Sequence, residues 1–117
     1  MRYQKSDPSK RTADGIVFDS IAEMERCEGL KLLQRDGIIR EVRYQTHYDL
    51  VVNDLKICTY TADFTYIDAA TNQVHVEDVK GFKRSKKTGK MLPRVNREFG
   101  IKKKLMKALF DIDVEVV

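Results

Sequence analysis

Asp63, Asp78 and Lys80 are the residues of this 117-residue chain whose types and spacing could do chemistry. They lie in Ala62-Asp63-Phe64 and in Val76-Glu77-Asp78-Val79-Lys80-Gly81, two β-prone stretches separated by the turn-forming Ala69-Ala70-Thr71-Asn72. A four-residue hairpin loop there sets Asp68 opposite Gln73, hence Asp63 opposite Asp78 and Thr61 opposite Lys80. Opposed residues have Cβ atoms about 5 Å apart. Two carboxylates that close repel by roughly 4 kcal/mol at an effective dielectric of about 20. A hard divalent cation offsets that repulsion, since Mg²⁺ takes carboxylate oxygens. Two acids, a cation and a lysine two residues along suit metal-assisted phosphodiester hydrolysis. The ion polarises the phosphate and acidifies a water, and the lysine holds that water or offsets charge building on the phosphate. The rival reading puts both acids on the wet face of a sheet, with Lys80 as a cross-strand ion-pair partner. A one-residue slip would separate the acids altogether.

The elements that must position these groups follow from local pattern. Ser20 has N-cap character, with Glu23 at capping-box spacing, and a helix is expected to about Arg35, stopping near Gly37. Gly15 to Asp19 reads as a short apolar lead-in. Residues 38–44, 48–52, 55–67 and 74–80 read as strands, with a turn at Asn53-Asp54. Phe82 to Pro93 reads as a basic loop, with Lys83 to Lys90 open to being disordered until DNA binds. Arg94 to Phe110 reads as a helix, with Val95, Phe99, Leu105, Met106 and Leu109 on its apolar side. Asp111 to Val117 suits a last strand. The expectation is a single α/β domain over residues 15–117, a central mixed sheet flanked by helices, behind a flexible arm at residues 1–14.

Charge is unevenly spread. From Lys80 to Lys107 there are twelve Lys or Arg against one acid, Glu98, so the rest of the chain is net acidic. Nucleic acid is the commonest anion that neutralises such a block, and the alternative is a solvated lysine-rich face. Candidate phosphate contacts are Lys83, Arg84, Lys86, Lys87, Lys90, Arg94, Arg97, Lys103, Lys104 and Lys107. No apolar run is long enough to cross a membrane, and Met1 to Pro8 lacks the apolar core of a secretory signal. Cys27 and Cys58 have no CxxC or His-rich neighbourhood, so a reducing cytosol is the expected setting. No glycine-rich phosphate loop is present. His47 and His75 are assigned no role, Glu77 points away from Asp78, and Tyr60, Phe64 and Tyr66 are read as core.

A helix glutamate followed by D…(D/E)-x-K on a hairpin resembles the PD-(D/E)XK nuclease superfamily, with Asp63, Asp78 and Lys80 at its motif positions. Ala62 stands where the pattern has proline. The segments around Asp14-Gly15-Ile16-Val17-Phe18-Asp19-Ser20, Glu23, Leu30-Lys31-Leu32-Leu33 and Tyr44-Gln45 resemble a family of small phage-encoded proteins associated with Holliday-junction resolution. The resemblance covers roughly residues 14–117. It implies a restriction-endonuclease-like αβββαβ core and a Mg²⁺-dependent endonuclease, with Mn²⁺ able to substitute. It implies Asp63, Asp78 and Glu23 toward the metal, Lys80 at the water, and Gln45 as a further possible site residue. Branched DNA, a homodimer and the cytoplasm of a bacterial host are the implied partners and setting. The other readings are a nickase on other branched or single-stranded DNA, or a non-catalytic DNA-binding module on a nuclease scaffold. If the basic block meets phosphates, log K for DNA should fall by about 0.9 per phosphate contacted for each tenfold rise in salt. A flat response in a fluorescence-anisotropy titration would remove that role.

Overall fold

The computed structural model describes residues 7–13 and 15–117, the side chains of Phe82 and Lys83 excepted. A 3-10 turn, Pro8–Arg11, leads into a small antiparallel pair, β1 (Thr12–Ala13) with β2 (Ile16–Val17). Helix α1 (Ile21–Arg35) starts where expected: Ser20 Oγ accepts from the Glu23 N–H at 3.1 Å. It ends at Asp36, and Gly37 takes the left-handed conformation that stops it. β3 (Ile39–Val52) and β4 (Leu55–Asp68) form a long hairpin. Both residues of its Asn53-Asp54 turn have positive φ, which matches the right-handed twist of the strands. β5 (Val74–Asp78) pairs antiparallel with β4, and β8 (Glu115–Val116) pairs parallel with β5. The crossover between them carries a basic hairpin, β6 (Phe82–Arg84) with β7 (Met91–Pro93), and helix α2 (Arg97–Phe110). The result is one small domain whose mixed four-stranded sheet, in the order β3-β4-β5-β8, is flanked by two helices.

Each face of the sheet carries its own core. Phe18, Cys27, Leu30, Ile39 and Phe64 are buried together with α1. Leu50, Tyr60, Ala62, Val76, Phe99, Met106 and Val114 are buried together with α2. Fully burying each large side chain contributes about 1.5–3 kcal/mol. Neighbours on β5 mark the two sides: Val76 joins the α2 core, while Glu77 turns to Arg26 of α1.

Strict alternation would send Ala62 and Phe64 to one face. They enter opposite cores. On β3, Tyr44 packs with the α1 core and Tyr48 with the α2 core. The register is unbroken across this switch, with Tyr44 opposite Phe64 and Thr46 opposite Ala62. Between them Gln45 adopts a left-handed backbone, φ 50°. Both strands therefore change face together at Gln45 and Asp63.

Several boundaries differ from the sequence expectation. The two strands expected at 38–44 and 48–52 are one, because the face switch at Gln45 reads in sequence as a break. The strand expected to reach Lys80 ends at Asp78: the Val117 N–H donates to the Asp78 carbonyl, and the Lys80 N–H donates to the Val117 carbonyl. The basic loop is an antiparallel hairpin closed by the Ser85 N–H donating to the Lys90 carbonyl at 2.8 Å and the Gly89 N–H donating to the Ser85 carbonyl at 2.9 Å. The second helix starts at Arg97, not Arg94, because the Asn96 side chain caps it by accepting from the Phe99 N–H at 2.8 Å. Only Glu115–Val116 of the last segment is strand. In the expected arm, residues 8–13 are folded against the body, with Arg11 Nη1 donating to the Phe18 carbonyl. Residues 1–6 and 14 lie outside the described residues.

Glu77 is 1% exposed and is held by the Arg26 guanidinium and the Tyr66 hydroxyl. Removing Arg26 strands a buried carboxylate. Arg26→Ala should cost on the order of 3 kcal/mol. Arg26→Met with Glu77→Leu should recover most of it, as urea denaturation would measure; equal loss in both variants contradicts the charge argument.

Candidate active site

Asp78 is 5% exposed at the end of β5, and both of its oxygens are engaged. Oδ2 accepts from the Tyr60 hydroxyl at 2.7 Å, and Oδ1 meets Lys80 Nζ at 2.9 Å. The Lys80 ammonium lies 4.4 Å from the centroid of the Phe99 ring, on α2. Asp63 is half-buried, and its Oδ2 accepts from the Val79 N–H at 2.7 Å. Burial lifts the Asp63 carboxyl to about 7, the Val79 N–H opposes that rise, and the charges of Asp78 and Glu23 add to it. Glu23 is half-buried in the first turn of α1, and its carboxyl is also raised. Burial is the main cause, with the Asp19 and Asp78 charges adding and the Asp19 amide and Lys80 opposing. Burial and the bond to Asp78 hold the Tyr60 proton far above its ordinary range, so Tyr60 is a fixed donor.

Asp78 and Lys80 are in direct contact, and Asp63 and Glu23 lie within electrostatic range of Asp78. Glu23 arrives from α1, on one face. Asp78 and Lys80 belong with Tyr60 and Phe99 of the α2 core, on the other. Asp63 stands at the strand crossing and feels both carboxylates. The inferred register holds, since Phe64 pairs with Glu77 and Ile67 with Val74, which puts Asp63 and Asp78 one step further along. Thr61 pairs with His47 of β3, and the expected pairing with Lys80 does not form because β5 ends at Asp78. Glu25 and Glu28 are exposed on α1, which leaves Glu23 as the helix acid of the cluster. Two clefts adjoin Lys80. One, about 240 Å³, is lined by Thr59, Thr61, Asp78, Asn96 and Lys102 among others. The other, about 430 Å³, runs along Ala22, Arg26, Gly81 and Val117.

Other candidates stand apart. Gln45 is exposed, and its clearest feature is its backbone conformation. Arg84, Lys86, Lys87, Lys90, Arg94, Arg97 and Lys104 are exposed and Lys103 is half-exposed, whereas the Lys83 side chain lies outside the described residues. Lys107 is held by Asp111 at 2.7 Å and Asp113 at 3.1 Å, so its charge is matched within the chain. Glu77, set aside in the sequence reading, is structural. His75 stacks on Tyr66 and reaches Glu115. Tyr60 and Phe99 were missed as site residues. The available signal was the Tyr60 hydroxyl, which must find a partner when its ring is buried.

Among the described residues, no group of three or more Asp, Glu, His or Cys side chains is arranged to hold a metal ion together. The donor chemistry still fits a hard cation. Asp78, bonded to Lys80 and Tyr60, and Asp63, bonded to the Val79 N–H, keep further lone pairs, and Mg²⁺ is commonly held by one or two carboxylates beside waters.

A family model for proteins of unknown function, DUF1064, matches residues 3–111. The chain belongs to the DUF1064 family. Nothing matches among curated proteins or among solved structures. No helix among the described residues is long and apolar enough to cross a membrane.

The raised Asp63 carboxyl has a definite consequence for stability. The folded state keeps its proton to about pH 7, the unfolded chain only to about pH 4. The stability this group supports is therefore complete below about pH 4 and is lost as pH rises through 7. Asp63→Asn should hold its stability over that window. At pH 8 it should exceed wild type by on the order of 1–2 kcal/mol, after allowance for solvent screening. Urea denaturation at pH 5 and pH 8 checks this, and parallel losses in both proteins would contradict it.

Proposed function

We propose that this protein is a Mg²⁺-dependent, structure-selective DNA endonuclease that hydrolyses phosphodiester bonds, acting as a homodimeric Holliday-junction resolvase in the cytoplasm of a bacterial host that carries it on a phage or prophage. The observation that carries this reading is the convergence of Glu23, Asp63, Asp78 and Lys80 from three elements onto one partly buried, net-negative cluster. The resemblance to PD-(D/E)XK nucleases stands on the same four residues.

Asp63 and Asp78 would hold the cation, with Glu23 in support. Mg²⁺, when bound, supplies Lewis-acid polarisation of the phosphate and a more acidic water. Lys80 holds the attacking water, or balances charge gathering on the phosphate oxygens. The exposed cations of the β6–β7 hairpin and of the segment leading into α2 follow Lys80 in the chain and would supply the phosphate contacts. A four-way junction requires two symmetric cuts, which a two-fold dimer supplies. A second reading, a DNA-binding module without catalysis, gains weight from the fact that Asp78 already has both oxygens occupied.

Labelled four-way junction, flap, single-stranded and linear DNA incubated with Mg²⁺ or EDTA separate the readings. Paired symmetric cuts in the junction, with Mg²⁺ only, are expected. Cutting confined to flaps or single strands would point to the nickase alternative. Junction binding without cleavage under Mg²⁺ or Mn²⁺ would leave the scaffold. Lys80→Ala should lower the cleavage rate by about a hundredfold or more. Its junction affinity should stay near wild type; a matching loss of affinity would make Lys80 a binding residue.

A further inference from the structure

Two side chains around the acid–lysine pair do more than fill the core. Tyr60 is 3% exposed, yet its hydroxyl reaches Asp78 Oδ2 at 2.7 Å. Phe99 is 7% exposed, yet its ring face lies 4.4 Å from Lys80 Nζ. The two rings pack against each other with centroids 6.4 Å apart, and Tyr48 stacks on Tyr60 at 6.5 Å. Lys80 closes the circuit through Asp78 Oδ1 at 2.9 Å. A leucine or phenylalanine would fill the volume at position 60, but only a phenol brings a donor. A leucine would fill position 99, but only an aromatic ring attracts an ammonium.

We propose that Tyr60 and Phe99 are positioning residues. Tyr60 fixes the Asp78 carboxylate in one orientation, and Phe99 fixes the Lys80 ammonium beside it, so that α2 is braced directly against the reacting groups. The inference rests on the endonuclease reading for its purpose, because it explains how a cation ligand and a water-positioning amine are kept in register. The contacts themselves exist in the free protein. Tyr60 leaves Asp78 its remaining lone pairs for a hard cation. Outer donors of this kind typically govern metal affinity by about ten- to a hundredfold.

The test uses the full chain and three variants, Tyr60→Phe, Phe99→Leu and Phe99→Tyr, each checked for a wild-type circular-dichroism spectrum. Mn²⁺ affinity is measured by electron paramagnetic resonance, and the Lys80 Hε and Nζ resonances are followed by NMR with labelled lysine, assigned through Lys80→Arg. Tyr60→Phe should weaken Mn²⁺ binding by about tenfold or more. Phe99→Leu should leave Mn²⁺ binding near wild type but move the Lys80 resonances toward free-lysine positions, as the ring current is lost. Phe99→Tyr should restore them. Cleavage of junction DNA should drop in Tyr60→Phe and Phe99→Leu without a change in junction affinity. Wild-type Mn²⁺ affinity in Tyr60→Phe together with unmoved Lys80 resonances in Phe99→Leu overturns the proposal. If wild type binds no Mn²⁺ and cuts no DNA, the endonuclease reading falls. The lysine resonances then still decide whether the brace exists, and unmoved resonances in Phe99→Leu overturn it. Should Tyr60→Phe fail to fold, the Phe99 pair decides the matter by the same criterion.

Discussion

Crowded negative charge is the constraint around which this small domain is arranged. Three carboxylates from three elements, Glu23, Asp63 and Asp78, lie within electrostatic range of one another, and burial strengthens the repulsion between them. The chain meets that cost with fixed donors. Lys80 and Tyr60 take the two oxygens of Asp78, and the Val79 amide takes one of Asp63. The Asp63 carboxyl still stands near 7, chiefly because it is buried and in smaller part because Asp78 and Glu23 lie near it. A structural ion-pair network would be expected to neutralise itself, as the Arg26–Glu77–Tyr66 group on the other side of β5 does.

The same cluster explains an otherwise odd feature of the sheet. Groups on opposite faces of a regular strand pair do not meet. The shared change of face at Gln45 and Asp63 removes that obstacle, bringing Asp63 within reach of the α1 acid and of the acid–lysine pair that packs toward α2. Gln45 adopts a conformation that costs a non-glycine residue roughly 1–2 kcal/mol. Strain next to a charge cluster is where function is most often found. The resemblance marks Gln45 as a possible site residue, and the structure gives it a backbone task.

The basic block divides in a way that charge counting conceals. Lys107 is spent on Asp111 and Asp113, and Lys102 on Glu98 at 3.0 Å. Lys86, Lys87 and Lys90 stand exposed on and beside the connection between β6 and β7. The hairpin is ordered by its own backbone ladder, so presenting those charges to a polyanion requires little further loss of chain freedom.

The sequence by itself determined the elements with strong local signals: the Ser20-capped helix, the Asn53-Asp54 hairpin, the four-residue turn before β5 and the αβββαβ order. It also determined that Asp63 and Asp78 share a register, because turn length fixes cross-strand pairing, and it favoured Glu23 through a resemblance. Periodicity could not find the face switch at Gln45, since alternation assumes a regular strand. It therefore assigned Tyr60 to the face away from the acids. Only the folded molecule placed Tyr60 on Asp78 and Phe99 under Lys80. Those contacts join residues far apart in the chain, and their closeness depends on how helices and strands pack, which no local pattern encodes.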